Sequence, residues 1–142
     1  TRRLPHTLLM GQAVGAIAAL AVRNNVQPRR LDPALVQLAL LDAKDTLFLT
    51  PVSDVRQSHP DWKPVQLALT RGLLTLDGSR FKPNEPLTAD ELEAALKRLS
   101  DGAVPPPALK LPLTRAEAAR AFTAFLERRA AAAAAAEAKR TP

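Results

Sequence analysis

The amino-acid sequence predicts a mainly α-helical protein, a small helical assembly with one short extended or hairpin segment near residues 73–82. Three observations support this fold class. Apolar residues make up 46% of the 142 residues but aromatic residues only 4%, so the core must consist largely of aliphatic helix faces. Thirteen prolines divide the chain into short elements. Within those elements, apolar residues recur mostly with helical spacing.

The first helix is predicted over residues 8–23, with Thr7 as a possible N-cap and Asn24 as a terminator. It is apolar on almost every side, which indicates burial, and its Gly and Ala residues allow a close approach to its backbone. It is too short for a membrane span, which needs roughly 20 apolar residues. A secretory signal peptide and an ordinary core helix both remain open interpretations.

The second helix has a clearer start, because Asp32 is placed as an N-cap and Pro33 occupies the first helical position. A broad apolar face follows, and we predict only a scaffold role for this helix.

The central stretch combines several turn signals. A helix that carries Trp62, the only Trp, is predicted to start near Asp61 and to end at Gly72 in a left-handed cap. Residues 73–76 are then extended, and Asp77 and Gly78 form a tight turn. These features together predict a helix followed by a short hairpin.

A capping box opens the next helix, because Thr88 and Glu91 have the required spacing. Residues 112–117 repeat residues 86–91 after a Pro-rich spacer, and this second copy has Arg115 where the first has Ala89. The run of alanines that follows favours an extension of the last helix, with nothing to pack against.

The pattern from Ser53 to Thr88 resembles a surface-layer homology (SLH) module. The matching residues, in order, are Ser53, Asp54, Val55, Trp62, Gly72, Leu73, Asp77, Gly78, Phe81, Pro83, Asn84, Pro86, Leu87 and Thr88. Members of this family typically anchor proteins to bacterial cell-wall polysaccharide. The resemblance therefore implies this polymer as a partner, and a cell-surface, periplasmic or secreted location.

In that family, the Arg of a Thr-Arg-Ala-Glu motif helps to bind acidic groups of the polymer. The first copy departs from the motif at Ala89, whereas the second copy keeps it complete. We therefore predict Trp62, Arg115 and Glu117 as polysaccharide-binding residues. The alternatives are a first-turn surface Arg beside a capping box for Arg115 and a core anchor for Trp62.

Residues 4–46 show a second resemblance, to the C-terminal end of FAD-dependent oxidoreductases of the glutathione-reductase-like type. It rests on a Gly-Gln-Ala-x-Gly stretch and on a Pro-Arg-x-Leu-Asp loop at residues 28–32. In that family the helix points its N-terminus at the flavin, which implies cofactor binding at Gly11, Gln12, Ala13 and Gly15. The chain has no Gly-x-Gly-x-x-Gly motif after a strand, so FAD would require a missing N-terminal flavin domain or a partner chain.

Other chemistry is not expected. There is no Cys, and His6 and His59 have no second ligand at helix spacing, so we predict neither a metal site nor a catalytic residue. The formal charge is +6, but no aromatic residues interleave with the basic ones, so we do not expect a specific nucleic-acid site.

The sequence thus suggests three segments: residues 1–47 like the end of a flavoprotein, residues 48–100 as the SLH-like module, and residues 101–142 as a partial second repeat with an Ala-rich tail. Because the chain starts at Thr1, we expect a piece of a longer bacterial protein. The first functional interpretation is the C-terminal portion, non-catalytic by itself, of an FAD-dependent oxidoreductase-like protein. The alternative is a stand-alone SLH-type module that binds cell-wall polysaccharide.

Overall fold

Helices dominate the computed structural model, which describes residues 4–100 and 104–140, with only the backbone described for residues 4–9. The described residues contain no strand, and a 3₁₀ helix spans Pro28–Arg30. The mainly helical fold class is therefore confirmed. The α-helices are α1 (Leu4–Asn24), α2 (Pro33–Asp42), α3 (Trp62–Thr70), α4 (Ala89–Leu99) and α5 (Arg115–Ala138).

The chain packs as two compact units. Unit 1 comprises Thr1–Asp45 and Glu127–Pro142, and unit 2 comprises Thr46–Leu126. Helix α5 contributes its first half to unit 2 and its second half to unit 1. These two units record which residues pack together. The division into segments 1–47, 48–100 and 101–142 stays a prediction about domain organisation.

Unit 1 contains α1 and α2. Helix α1 begins at Leu4, four residues earlier than the sequence predicted, and Pro5 lies in its first turn, where a missing N–H breaks no helical hydrogen bond. Asp32 caps α2 as predicted, with its Oδ1 accepting a hydrogen bond from the Ala34 N–H at 2.8 Å. No helix of the described residues is long and apolar enough to cross a membrane.

The Ala-rich run extends α5, as predicted, and belongs to unit 1. It is only partly packed, because Ala130 is buried and Ala134 half-buried while the other alanines of residues 130–136 are exposed. Ala130 is completely buried, and Glu137 forms an ion pair with Arg30. The Nε atom of Arg129 lies 3.8 Å from a carboxylate oxygen of Asp32.

Unit 2 has the larger aromatic core. Phe81 and Phe122 are almost completely buried, together with aliphatic residues of α3, α4 and α5. The start of α3 is held by Asp61, whose carboxylate accepts hydrogen bonds from Arg120 Nε at 2.6 Å and from its terminal nitrogen at 3.3 Å. This paired fork connects α3 to α5 inside the unit.

The turn after α3 has the predicted form. Gly72 has a φ of +63°, and the Leu73 N–H donates to the Ala68 carbonyl at 2.8 Å, which closes the helix end. Asp77 and Arg80 then exchange two backbone hydrogen bonds of 2.9 and 3.0 Å around Gly78. The predicted hairpin is therefore confirmed as one isolated antiparallel bridge.

We predict that Gly72→Ala lowers the free energy of unfolding by about 1–2 kcal/mol, because a Cβ is strained at positive φ. Gly11→Ala is the matched comparison, since a Cβ there meets nothing within 4 Å. It should stabilise the helix by about 0.5–1 kcal/mol. Urea unfolding measures both variants, and equal effects of the same sign would contradict the assignment of Gly72 as a left-handed cap.

Candidate functional site

The Ser-Asp-Val motif fixes the loop that forms the floor of the site. The Asp54 carboxylate accepts hydrogen bonds from the backbone N–H groups of Phe81 at 2.8 Å and Lys82 at 2.7 Å. These bonds hold Lys82 at a φ of +58°, which is unusual for a residue with a Cβ. Burial, the largest single influence, raises the pKa of Asp54. The backbone N–H groups of Phe81, Lys82 and Asp54 itself, together with the charge of Arg80, leave the net pKa below its usual 3.8.

The two repeated motifs lie side by side in unit 2. The Leu87 N–H donates to the Leu113 carbonyl at 2.8 Å, and the Arg115 N–H donates to the Glu85 carbonyl at 2.9 Å. Pro86 and Thr114 form the resulting antiparallel bridge. The second copy thus pairs directly with the end of the module and places the start of α5 there.

Both repeats form reciprocal capping boxes, as the sequence predicted. Thr88 and Glu91 exchange side-chain and backbone hydrogen bonds at the start of α4. At α5, Glu117 Oε2 accepts from the Thr114 N–H at 2.7 Å, and Thr114 Oγ1 accepts from the Glu117 N–H at 3.2 Å. The pKa of the exposed Glu117 is lowered, mainly by the hydrogen bond from the Thr114 backbone N–H and then by the one from the Thr114 hydroxyl.

Arg115 lies at the centre of the site and is only 8% exposed. Its Nε donates to the Phe81 carbonyl at 2.8 Å, and its terminal nitrogens contact the Thr75 carbonyl and the Glu91 carboxylate. The guanidinium also lies 5.0 Å from the centre of the Phe81 ring. The second motif therefore uses its Arg as an internal connection to the loop and to α4.

The Arg115–Glu91 pair is stable because both groups have further partners. A buried cation is costly unless hydrogen bonds occupy its donors, and Arg115 uses Nε and both terminal nitrogens. Burial raises the pKa of Glu91, whereas bonds from Thr88 and the nearby Arg115 lower it, and the net pKa is below its usual 4.5. The carboxylate is therefore held ionised against the guanidinium.

A cleft of about 270 Å³ opens above these groups. Lys82 Nζ lies 2.7 Å from Asp77 Oδ2 and 3.2 Å from Glu85 Oε1 at its edge. The hydrogen bond between Lys82 and Asp77 lowers the pKa of the Asp77 carboxyl and raises the pKa of the Lys82 ammonium. The lining of the cleft carries three carboxylates and two cations, and Leu76 and Pro86 supply its accessible apolar surface.

The structure separates the three predicted polysaccharide-binding residues. Arg115 lines the cleft, but Glu117 is on the solvent side of the capping box and Trp62 is 4% exposed at the start of α3. Their role in binding stays a prediction. The sequence analysis did not predict Asp77, Lys82 and Glu85 as site residues. The signal that could have found them is a Lys with an acidic residue on either side of it near a predicted turn.

The predicted flavin-facing residues lie on α1. Gly11 is the eighth residue of that helix, beyond the first four N–H groups that a helix leaves unpaired. Gly11, Gln12, Ala13 and Gly15 as cofactor residues therefore stay a sequence prediction. Across residues 4–100 and 104–140, no group of three His, Asp or Glu residues is arranged to hold a metal ion.

Comparison with known proteins identifies the central segment. Residues 53–91 match the family model of the S-layer homology domain, which covers the Ser-Asp-Val motif, α3, the hairpin and the first capping box. The chain therefore carries an S-layer homology domain at these residues. No curated protein and no solved structure matches the chain, and none of the comparisons supports the flavoprotein resemblance of residues 4–46.

We predict that Arg115→Ala lowers the free energy of unfolding by about 3 kcal/mol or more, since it leaves Glu91 without its buried partner. Arg115→Lys should also be destabilised, because an ammonium cannot reach Phe81, Thr75 and Glu91 together. Chemical denaturation measures both. Arg98→Ala, at an exposed position of α4, is the control, and its stability is expected within about 0.5 kcal/mol of the unmodified chain. Equal small effects at both positions would show that Arg115 is not a structural connection.

The lowered pKa values predict a loss of stability in acid. A carboxylate whose pKa is lower in the folded state stabilises fully above its unfolded pKa, and this contribution is lost as the pH falls through the folded value. Unfolding free energy should therefore decrease below about pH 4, and Asp54→Asn should reduce that decrease. Urea titrations at a series of pH values measure this, and an unchanged acid limb in Asp54→Asn would refute the role of Asp54.

Proposed function

We propose that this chain binds bacterial cell-wall polysaccharide through its S-layer homology domain, at the cleft beside Arg115. The observation that carries the proposal is that residues 53–91 match the domain family and also supply all the lining of the cleft except Arg115. The second motif completes the cleft with that single side chain. The stand-alone binding interpretation is thus better supported than the flavoprotein one.

The chemistry of the cleft suits sugar hydroxyls. Hydroxyl groups both donate and accept hydrogen bonds, and the cleft offers carboxylate acceptors at Asp77 and Glu85 beside the ammonium donor of Lys82. The apolar face of a sugar ring fits against the exposed Pro86 and the half-buried Leu76. Arg115 acts in this proposal as a positioning residue, because its donors are used by the protein.

Binding to the cell wall would place the protein at the bacterial cell surface or elsewhere in the envelope. Polysaccharide would then be its principal partner. Trp62 would contribute to this function through the packing of α3, since its side chain is almost completely buried. Glu117 would contribute by fixing the start of α5, which holds Arg115 over the loop.

The test is co-sedimentation of the full chain with purified bacterial cell-wall polysaccharide. Lys82→Gln should weaken binding roughly tenfold, because it removes a charged donor from the cleft edge. Lys97→Gln, on the exposed face of α4, is the charge-matched control and should bind normally. Circular dichroism melts verify that both variants remain folded. If the unmodified chain fails to sediment with any wall polysaccharide, or if both variants bind equally, the proposal for this cleft fails.

The flavoprotein interpretation is the second proposal, and it rests on the Gly-Gln-Ala-x-Gly stretch and the Pro-Arg-x-Leu-Asp loop of the sequence. FAD would come from a longer protein or a partner chain. An upstream reading frame that encodes a Gly-x-Gly-x-x-Gly strand–turn–helix would support it. A complete gene without such a motif would exclude a flavin domain in the same polypeptide.

A further inference from the structure

A second groove lies in unit 2 and is lined in part by Ser53 and Val55 of the Ser-Asp-Val motif. It has a volume of about 470 Å³, in the range of pockets that hold small molecules. The extended segment 46–52 and the loop that follows form its walls, and Trp62 and Gln66 of α3 line it as well. None of the residues used in the Arg115 cleft takes part.

Gln66 is the most informative residue of this groove. It is 4% exposed, and its Oε1 accepts hydrogen bonds from the Phe48 N–H at 2.9 Å and the Leu47 N–H at 3.2 Å. Among the residues that the structure describes, nothing accepts a hydrogen bond from its Nε2. Thr70 Oγ1 is the one buried side-chain atom without a partner among the described residues, so Gln66 Nε2 keeps access to solvent. Because Gln66 lines the groove, this amide can donate to a ligand that brings an oxygen acceptor.

Arg56 gives the groove a charge. The residue is exposed, lines the groove, and its guanidinium has no hydrogen-bond or ion-pair partner among the described residues. The described lining includes no Asp or Glu. The groove thus offers one unpaired guanidinium without a competing carboxylate, whereas the described cations of the Arg115 cleft are already paired.

The remaining surface is apolar and hydroxylic. Leu49 is 69% exposed at the rim, and Phe48 and Pro51 lie along the same wall. Thr46 and Thr50 supply hydroxyl groups. Such a surface accommodates a sugar ring, which has an apolar face and a polar edge.

We propose that this groove is a second saccharide subsite, which takes a sugar unit carrying a carboxylate. The carboxylate pairs with Arg56, and a ring or acyl oxygen accepts from Gln66 Nε2. This inference rests on the proposed polysaccharide function and assigns the recognition of acidic units to Arg56 and Gln66. The Arg115 cleft then holds hydroxyl-rich units of the same polymer.

The experiment uses the full ¹⁵N-labelled chain and two probes, D-glucuronate and D-glucose. Trp62 is the only Trp, so its indole N–H signal reports on the groove directly. Glucuronate should shift this signal and bind at least several-fold more tightly than glucose. Glucuronate that binds no better than glucose, or that leaves the indole signal unmoved, overturns the subsite.

Three variants sharpen the result. Arg56→Gln should reduce glucuronate affinity roughly tenfold. Gln66→Glu keeps an acceptor for Leu47 and Phe48 but replaces the free donor by an acceptor, so it should also weaken binding while the chain stays folded. Arg98→Gln is the matched control on α4 and should bind normally. Equal affinity in all three variants would overturn the assignment.

Failure of the subsite and failure of the proposed function can be told apart. If wall polysaccharide binds with full affinity to Arg56→Gln but not to Lys82→Gln, the Arg115 cleft alone is the binding site and the subsite is wrong. If glucuronate binds in an Arg56-dependent way but no wall polysaccharide sediments with the chain, the subsite stands and the polysaccharide function is wrong.

Discussion

The buried guanidinium of Arg115 is the interaction on which the structure of unit 2 depends. It connects the start of α5 to the loop carbonyls of Phe81 and Thr75 and to Glu91 on α4. The Thr-Arg-Ala-Glu motif at residues 114–117 consequently stabilises the S-layer homology domain at residues 53–91. Because Nε and both terminal nitrogens of Arg115 are hydrogen-bonded within the protein, this cation cannot also be the main contact for an anionic polymer. The ligand contacts are therefore expected from the residues around it.

Much of this architecture could be predicted from local sequence rules. The capping boxes at Thr88 and Thr114, the left-handed Gly72 and the Asp77–Gly78 turn all depend on neighbours within a few residues, and all were confirmed. The site was less predictable, because it depends on contacts between distant residues. Arg115 meets Thr75 across 40 residues of sequence, and no periodicity or spacing encodes that meeting.

The two concave surfaces of unit 2 differ in electrostatic character. In the Arg115 cleft, three carboxylates face the two cations Lys82 and Arg115, so negative charge is in slight excess and hydrogen bonding to hydroxyl groups is the available chemistry. In the groove lined by Trp62, the lining that includes Arg56 contains no Asp or Glu, and no described residue accepts a hydrogen bond from Gln66 Nε2. A polymer of mixed neutral and acidic sugars would suit both surfaces, whereas a purely anionic one would meet repulsion from Asp77 and Glu85 at the cleft.

The most direct test of the account is a map of backbone amide shifts when the ¹⁵N-labelled full chain is titrated with oligosaccharides released from cell-wall polysaccharide. The account predicts shifts clustered at residues 75–91 and 46–57. It also predicts that the Arg115 Nε–H signal stays in place, because that proton remains bonded to the Phe81 carbonyl. Shifts confined to α1, or no shifts at all, would contradict the assignment of this domain as the polysaccharide-binding part of the chain.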